Sequence, residues 1–499
     1  MVWKVGQAPR LWLLALALVA CGDDGAGAAA GQETGPCVDG QCLAGLSCLS
    51  NFCVDPGGGS TTKVDSTTDA PTTESPTTGP CTPGTTGCQC VIGGCDTGNQ
   101  CVDGLCEAAI YTTKQISGSG DHTCAVFESG GLRCWGSNAY SLLGLQSKEY
   151  IYGDDEPARD APLVDVGGPV VQVAAGPRHT CALLEGGAVR CWGDNLYGQL
   201  GYGHTDQIGD DESPASAGDV SLGGPAISVH VGEFFSCAVM ADKTARCWGN
   251  HQFTGLGPLA TNIGDDDVPS DFPPITMGGP VAELAVGHAQ ACARLVNGGM
   301  RCWGQDTYGS LGYGQVYQPD VDDSTPAELG DIALGATAVQ MGVGAIHSCA
   351  VVLGGKLRCW GWNRHGQLGY GMSQGEYPTP EQRGDLPVAD QVTAVFVGLD
   401  NTCSVHAGGE LRCWGEGLFG KNANLDMYDY GDDEPVSELM AIPLGGAVTS
   451  VAVGQAQVCA LLTNKAVRCW GLGKLLGYGK DSDIGDNEYP EVAGDVPLE

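Results

Sequence analysis

HTCAVFESGGLRCWG, residues 122–136, sets two cysteines ten positions apart around a Gly-Gly, with Trp-Gly closing the phrase. Nearly the same words return as RHTCALLEGGAVRCWG at 178–193 and IHSCAVVLGGKLRCWG at 346–361. The pairs are Cys124 with Cys134, Cys181 with Cys191, Cys237 with Cys247, Cys292 with Cys302, Cys349 with Cys359, Cys403 with Cys413, and Cys459 with Cys469. A tryptophan follows each second member: Trp135, Trp192, Trp248, Trp303, Trp360, Trp414 and Trp470. The step between pairs averages about 56 residues, a period that signals propellers or solenoids.

Each unit reads alike. A β-branched run ends in Gly (VVQVAAG, 170–176), then come the first Cys strand, a turn and the Cys-Trp-Gly strand. A loop such as YGQLGYG (197–203), an acidic tract such as IGDDESP (208–214) and a short GDV segment complete the unit. Short β-rich runs bounded by turn residues are strands, so the class is all-β. One unit cannot bury both its faces and must lean on its neighbours. Seven units of three or four strands fill 111–499 and suit a closed seven-bladed β-propeller. An open β-solenoid is the alternative. The chain starts on the first strand of a unit and stops after the last segment of one, a phase that lets the last strand complete the first blade.

Cys124 and Cys134 are equidistant from Ser129, hence opposite one another in a hairpin. Facing residues at a non-hydrogen-bonded antiparallel site lie about 4.5 Å apart at Cα, inside the disulfide window. Closing such an 11-residue loop is worth on the order of 2.5–3 kcal/mol in the chain-entropy model. The same spacing predicts a bridge from Cys292 to Cys302, from Cys349 to Cys359, from Cys403 to Cys413 and from Cys459 to Cys469, as in the second and third units. The competing reading is seven pairs of small buried thiols; zinc fits worse, since two thiolates without a local His do not make a four-ligand site.

The other cysteines fit the same oxidised setting. Cys37, Cys42, Cys48 and Cys53 are spaced C-x4-C-x5-C-x4-C, Cys90, Cys95, Cys101 and Cys106 repeat the spacing, and Cys81 and Cys88 add a pair. These modules, 36–55 and 81–108, lack the apolar mass for a core, so a disulfide framework holds them, its connectivity open. Cys21 alone is left over. Lys4 and Arg10 precede the apolar stretch 11–20, long enough for a signal peptide and short for a membrane span. Leu18-Val19-Ala20-Cys21 resembles the bacterial lipobox, in which the Cys is acylated; a plain secretory peptide is the runner-up. Residues 1–20 are then a lipoprotein signal, 21–35 a tether, and 56–80 a Thr/Ser/Pro/Gly linker too poor in apolar groups to fold. Gly22-Asp23 favours the outer membrane. The expectation is an exported, lipid-anchored monomer, held to the envelope through Cys21 only.

At the tract containing Gly176, His179, Cys181, Ala182, Leu183, Gly187, Val189, Cys191, Trp192, Gly193, Asn195 and the run Tyr197 to Gly203, the sequence resembles the regulator-of-chromosome-condensation repeat family. The match recurs in all seven units and implies a seven-bladed β-propeller. Units three and six depart most, with loops QFTGLG (252–257) and LFGKNAN (418–424), and the cysteine pairs are foreign to the eukaryotic pattern. Fold does not carry function. The family's founding member exchanges nucleotide on a small GTPase and binds chromatin, whereas other members are plain protein-binding surfaces, among them a secreted bacterial inhibitor of β-lactamases.

A net charge of −36 excludes nucleic acid, whose phosphates require a basic patch. No GxSxG, HExxH or P-loop is present. His122, His179 and His347 sit two residues before a Cys where other units have Phe235, Gln290, Asn401 and Gln457, a variability that reads as a rim or strand-end position. The acidic tracts place Asp154, Asp155, Asp210, Asp211, Asp265, Asp266, Asp322, Asp323, Asp432, Asp433 and Asp486 on one rim of the propeller. Clustered oxygens suit Ca²⁺. The stronger reading is that these acids cap tight turns and keep the surface soluble; no other cofactor is indicated. The function that fits is a non-enzymatic, membrane-anchored extracytoplasmic scaffold whose propeller recognises a protein or a glycan. The alternative is a carbohydrate-active lyase or hydrolase with carboxylates at the propeller mouth.

Overall fold

The computed structural model describes residues 47–49, 52–54, 99–102, 105–108 and 111–499, apart from 259–260, 315–323, 373–377, 389, 418–428, 433–434 and 487. Cys21, most of the first Cys module, the linker, Asp322, Asp323 and Asp433 thus lie outside the described residues. The chain divides into two units, 1–79 and 80–499. In the first, the hairpin of Ser47–Leu49 and Phe52–Val54 sets Cys48 opposite Cys53. In the second, the hairpin of Asn99–Val102 and Leu105–Ala108 sets Cys101 opposite Cys106 and the propeller follows. Among the described residues, no helix is long and apolar enough to cross a membrane.

Seven antiparallel sheets, three or four strands each, follow one another from Thr113 to the end of the chain. In blade 2 the inner strand is Val170–Ala175, the middle strand His179–Leu184 and the outer strand Val189–Gly193. Its outer edge is completed by a one-residue bridge from Gly193 to Ile208 and by the Val220 amide donating to the Val189 carbonyl. The middle strand is buried along its whole length, because it faces a neighbouring blade on either side. That is why HTCALL shows no polar/apolar alternation.

All seven cysteine pairs are disulfides between opposed residues of middle and outer strands. Cys124 is bonded to Cys134, Cys181 to Cys191, Cys237 to Cys247 and Cys292 to Cys302. Cys349 is bonded to Cys359, Cys403 to Cys413 and Cys459 to Cys469. The bridges are those expected from the spacing, but the strands come closer than expected. Their Cα–Cα distances are 4.0–4.1 Å, against about 4.5 Å for an ordinary non-hydrogen-bonded pair. A covalent link between facing side chains draws the two backbones together. The bridges sit in the core, with Cys181, Cys191, Cys302, Cys359 and Cys469 fully buried and Cys413 nearly so.

Adjacent blades are joined by a recurring set of contacts. Trp192 lies buried under the loop of blade 1 and donates from Nε1 to the Leu142 carbonyl at 2.8 Å. Trp303, Trp360 and Trp414 do the same to Phe253, Ser310 and Gln367. The loop glycine must be bare: a Cβ on Gly144, whose φ is +67°, would stand 2.8 Å from the Trp192 Nε1. In five blades the arginine before the second cysteine reaches back to a carbonyl of the preceding blade, as Arg190 Nη1 does to Val166 at 2.7 Å; the others are Arg133, Arg301, Arg358 and Arg468. On the inner strands Gln115, Gln172 and Gln340 each accept from and donate to the backbone of the next blade, at Val173, Val229 and Val395. A side-chain amide here imitates a ladder peptide.

The ring closes by the same contacts, and the last strand does not complete the first blade. Val496 pairs with Val467 inside blade 7. Closure is made instead by Arg133 donating to the Leu498 carbonyl at 2.6 Å, Gln457 donating to Thr123 at 3.0 Å, and backbone bonds Arg159–Pro497 and Ala158–Gly477. Among the described residues each blade is built from one continuous stretch of the chain.

Candidate functional site

The histidines expected at a rim or strand end do begin their middle strands, but they are buried between blades and not on the rim. His122 Nε2 meets Thr180 Oγ1 at 2.9 Å, His179 meets Ser236 at 2.6 Å and His347 meets Thr402 at 2.8 Å. Each of those hydroxyls donates onward to the loop carbonyl of the preceding blade, at Leu142, Gln199 and Gln367. Burial lowers the three histidines to about 4, 3 and 3, so they are neutral at pH 7. Their variation to Phe, Gln and Asn reflects several ways of filling one interior gap, not exposure.

The inner strands surround a central cavity of about 330 Å³, lined among others by Gln115, Gln172, His230, Gln340, Phe396 and Ser450 and by no carboxylate among the described residues. His230, held down to about 4 by burial, bonds Ser228 at 3.0 Å. At one end the strands converge on Gly176, Gly232, Gly287, Gly344, Gly398 and Gly454; a Cβ on Gly287 would lie 1.8 Å from the Gly344 carbonyl oxygen. The Gly that ends each β-branched run is therefore what lets seven strands meet.

The Trp-Gly ends of the blades and the long loops form one face, the loop face; the hairpin turns between cysteines form the other. The acidic tracts stand on the loop face, each against the loop of the preceding blade: Gln146 donates to the Gly209 carbonyl and Gly203 to that of Gly264. Their last acid turns back onto the tract's own glycine amide, Glu156 to Gly153 and Asp267 to Gly264, the turn-capping role read from the sequence. In blades 1–3 the carboxylates of Asp154, Asp155 and Glu156, of Asp210, Asp211 and Glu212, and of Asp265, Asp266 and Asp267 approach within 4.8 Å of one another. Partial burial, with the Asp211 hydrogen bond and the Asp210 charge, raises Glu212 to about 7; Glu156 is raised in the same way, and Asp267 by burial and the charges of Asp265, Asp266 and Asp271. Asp432 and Asp486 are not part of such a triad among the described residues.

Around the loop-face end of the cavity stand side chains that differ from blade to blade. Arg178 pairs with Asp194 at 3.1 Å and Glu233 at 3.4 Å, and Glu233 also faces His288 at 3.7 Å. The Arg178 guanidinium lies over the rings of Tyr140 and Phe234. Tyr308 and Trp362 make a second aromatic contact in blades 4 and 5. This is a built, non-repeating surface on a repeating frame. Two residue classes escaped the sequence reading: the junction hydroxyls, and the arginine before each second cysteine. The second was visible as RCW in all seven units.

Models of the Regulator of chromosome condensation (RCC1) repeat match residues 114–141, 170–199 and 338–367, and residues 129–183. The ultraviolet-B receptor UVR8 of Arabidopsis thaliana is 27% identical over 318 residues, which is 63% of this chain and 68% of the receptor. The probable E3 ubiquitin-protein ligase HERC6 of Homo sapiens is 30% identical over 257 residues, 49% of this chain, and the chain spans only 23% of that ligase. Among solved structures, yeast RCC1 (Prp20) bound by Kap60 aligns with a TM-score of 0.56 at 20% identity, covering 76% of this chain and 85% of that one. Human WBSCR16 aligns at 0.55 and 18% identity, over 70% of this chain and 91% of the other. The chain is a seven-bladed β-propeller of RCC1-type repeats, with a disulfide in every blade.

Proposed function

We propose that this propeller is an extracytoplasmic binding scaffold, tethered to the envelope through lipid-modified Cys21, whose loop face recognises a protein. The observation that carries the reading is the contrast between frame and face. Every blade holds the same buried disulfide, which persists in an oxidising compartment, while the loop-face side chains change from blade to blade. Similar propellers are named for protein partners: yeast Prp20 for its binding to Kap60, Gsp1p and histones. The ligase activity in the names of the HERC relatives belongs to proteins of which this chain spans a minor share, and it is not carried over.

Fractionation tests the anchor. Wild-type chain is expected in the membrane fraction with an acyl-modified Cys21, and the Cys21→Ser chain in the soluble fraction. Retention of the variant, with no acyl mass on the wild type, contradicts the anchor. Capture on the oxidised full chain, followed by titration of the purified captured species, tests recognition. A protein ligand supports the reading, and a polysaccharide as the sole saturable ligand overturns it.

A further inference from the structure

The loop face of blades 1–3 carries apolar surface that the repeat does not require. Tyr140 is 45% and Leu196 64% exposed, and Tyr197, next to Leu196 in the chain, and Phe234 are half-buried. The Tyr197 and Phe234 rings meet edge-on at 5.1 Å. Arg178 fixes the arc, its guanidinium 4.7 Å from the Tyr140 ring and 5.1 Å from the Phe234 ring. The position of Phe234 is held by Ala289, Ile346, Asp400 and Ala456 in later blades, which fold without an aromatic there.

The surroundings are one-signed. The bonds from Gln146 to Gly209 and from Gly203 to Gly264 set the acidic turn 210–212 beside the loop of Tyr140, and 265–267 beside that of Tyr197. Segments 137–157, 193–213 and 249–268 together hold twelve carboxylates and one lysine. Arg178 is already neutralised by Asp194 and Glu233. The hairpin face is mixed instead, its turns combining Glu128, Glu185, Asp242 and Glu410 with Lys243, Lys356 and Lys465.

We propose that this arc is the docking surface for a basic protein segment, whose apolar side chains lie on Tyr140, Leu196 and Tyr197 while its lysines or arginines face the acidic turns. The assignment rests on the binding-scaffold reading and adds the sector and the partner's charge. Pre-fixed aromatic side chains at a patch centre, ringed by charge, are how binding energy and steering are commonly divided. Cations from a partner also relieve the repulsion within each carboxylate triad, whose oxygens lie within 4.8 Å of one another.

The test titrates the full oxidised chain with a synthetic peptide alternating lysine with leucine and tryptophan, and with its glutamate counterpart. Two variants accompany it: Tyr140→Ala with Leu196→Ala and Tyr197→Ala, and a hairpin-face control, Val296→Ala with Leu353→Ala. A charge variant, Asp210→Asn with Asp211→Asn, touches exposed groups only and guards against misfolding of the arc variant. The basic peptide is expected to bind, to weaken at least about tenfold in the arc variant, and to weaken steeply between about 0.05 and 0.2 M salt. The charge variant should weaken it too, and the hairpin-face control should not. Equal binding of the glutamate peptide, no binding of the basic one, or equal loss in the arc and control variants overturns the assignment. A captured protein partner that binds the arc variant unchanged overturns it as well, while leaving the scaffold reading in place.

Discussion

Blades 2, 4, 5 and 7 differ from blades 1, 3 and 6 in how the outer edge is fastened. In the first group an α-turn follows the long loop, Pro214–Ala217 in blade 2, and ends on a glycine with φ of +76° to +84°. The next residue is Asp219, Asp331, Asp385 or Asp495, which accepts from the Nε of Arg190, Arg301, Arg358 or Arg468 at 2.7–2.9 Å. The glycine carbonyl accepts from Tyr202, Tyr313, Tyr370 or Tyr478 of the LGYG loop. Burial of those phenols pushes them up to about 12. In the second group the α-turn is a 3-10 turn and the Gly-Asp is missing. Leu145 and Leu256 replace the Tyr in blades 1 and 3. The arginine stays and finds other partners: Arg133 lies against Tyr111, Arg246 donates to the Pro269 and Phe272 carbonyls, and Arg412 faces Asp390 and Glu410. Tyr, Gly, Asp and the α-turn therefore come and go as one device. The disulfide and the Trp are independent of it.

That independence gives the largest expected effect. Cys181→Ser with Cys191→Ser in blade 2, or Cys237→Ser with Cys247→Ser in blade 3, should each cost on the order of 2.5–3 kcal/mol in denaturant unfolding. A blade-3 loss twice that of blade 2 would tie the bridge to the outer-edge device after all.

The junctions offer a second contrast, between histidine in blades 1, 2 and 5 and Gln or Asn in blades 4, 6 and 7. His179 has a folded-state pKa lowered to about 3, so the unfolded chain takes up the proton first. Its contribution is present above pH 6.5 and is lost as pH falls toward 3, at about 1.4 kcal/mol per pH unit. His179→Gln should be nearly neutral at pH 7.5, because Gln457 makes the equivalent bond to Thr123 at 3.0 Å. At about pH 5 the variant should exceed the wild type by about 1–2 kcal/mol in unfolding free energy. Parallel pH profiles would contradict the buried, neutral histidine.

Within the outer-edge device, Tyr202→Phe should cost about 1 kcal/mol, the net worth of a buried hydrogen bond. Asp219→Asn should cost less, because that side chain is 55% exposed and its ion pair is screened. Reversal of that order would make the Arg–Asp pair the fastener. The smallest effect concerns the rim: millimolar calcium at matched ionic strength should leave the melting temperature nearly unchanged, since the acids already cap their turns. A rise of several degrees, abolished by Asp210→Ala with Asp211→Ala, would show a metal site.

The repeat was legible because Cys, Trp and Gly recur at fixed offsets, and each recurrence has one physical cause. Cysteines ten apart face each other in a hairpin, and the Trp beside them is covered by the loop of the preceding unit. What escaped depends on the ring rather than on the unit. His122 reads as variable along the chain, yet its burial is decided by blade 2, 58 positions away through Thr180. The bare Gly287 is required by Gly344 of the next blade, a proximity created only when seven strands converge. The exposed arc of Tyr140 and Tyr197 was hidden for the opposite reason. Its residues occupy loop positions where the repeat sets backbone shape and leaves the side chain open.

The central claim, an exported propeller with each blade closed on itself, is tested most directly by non-reducing peptide mapping of the chain from its native compartment. The expected result is linked peptides joining Cys124 to Cys134, Cys181 to Cys191, Cys237 to Cys247, Cys292 to Cys302, Cys349 to Cys359, Cys403 to Cys413 and Cys459 to Cys469. Free thiols at these positions, or bridges between cysteines of different blades, would contradict both the fold as described and the oxidising compartment.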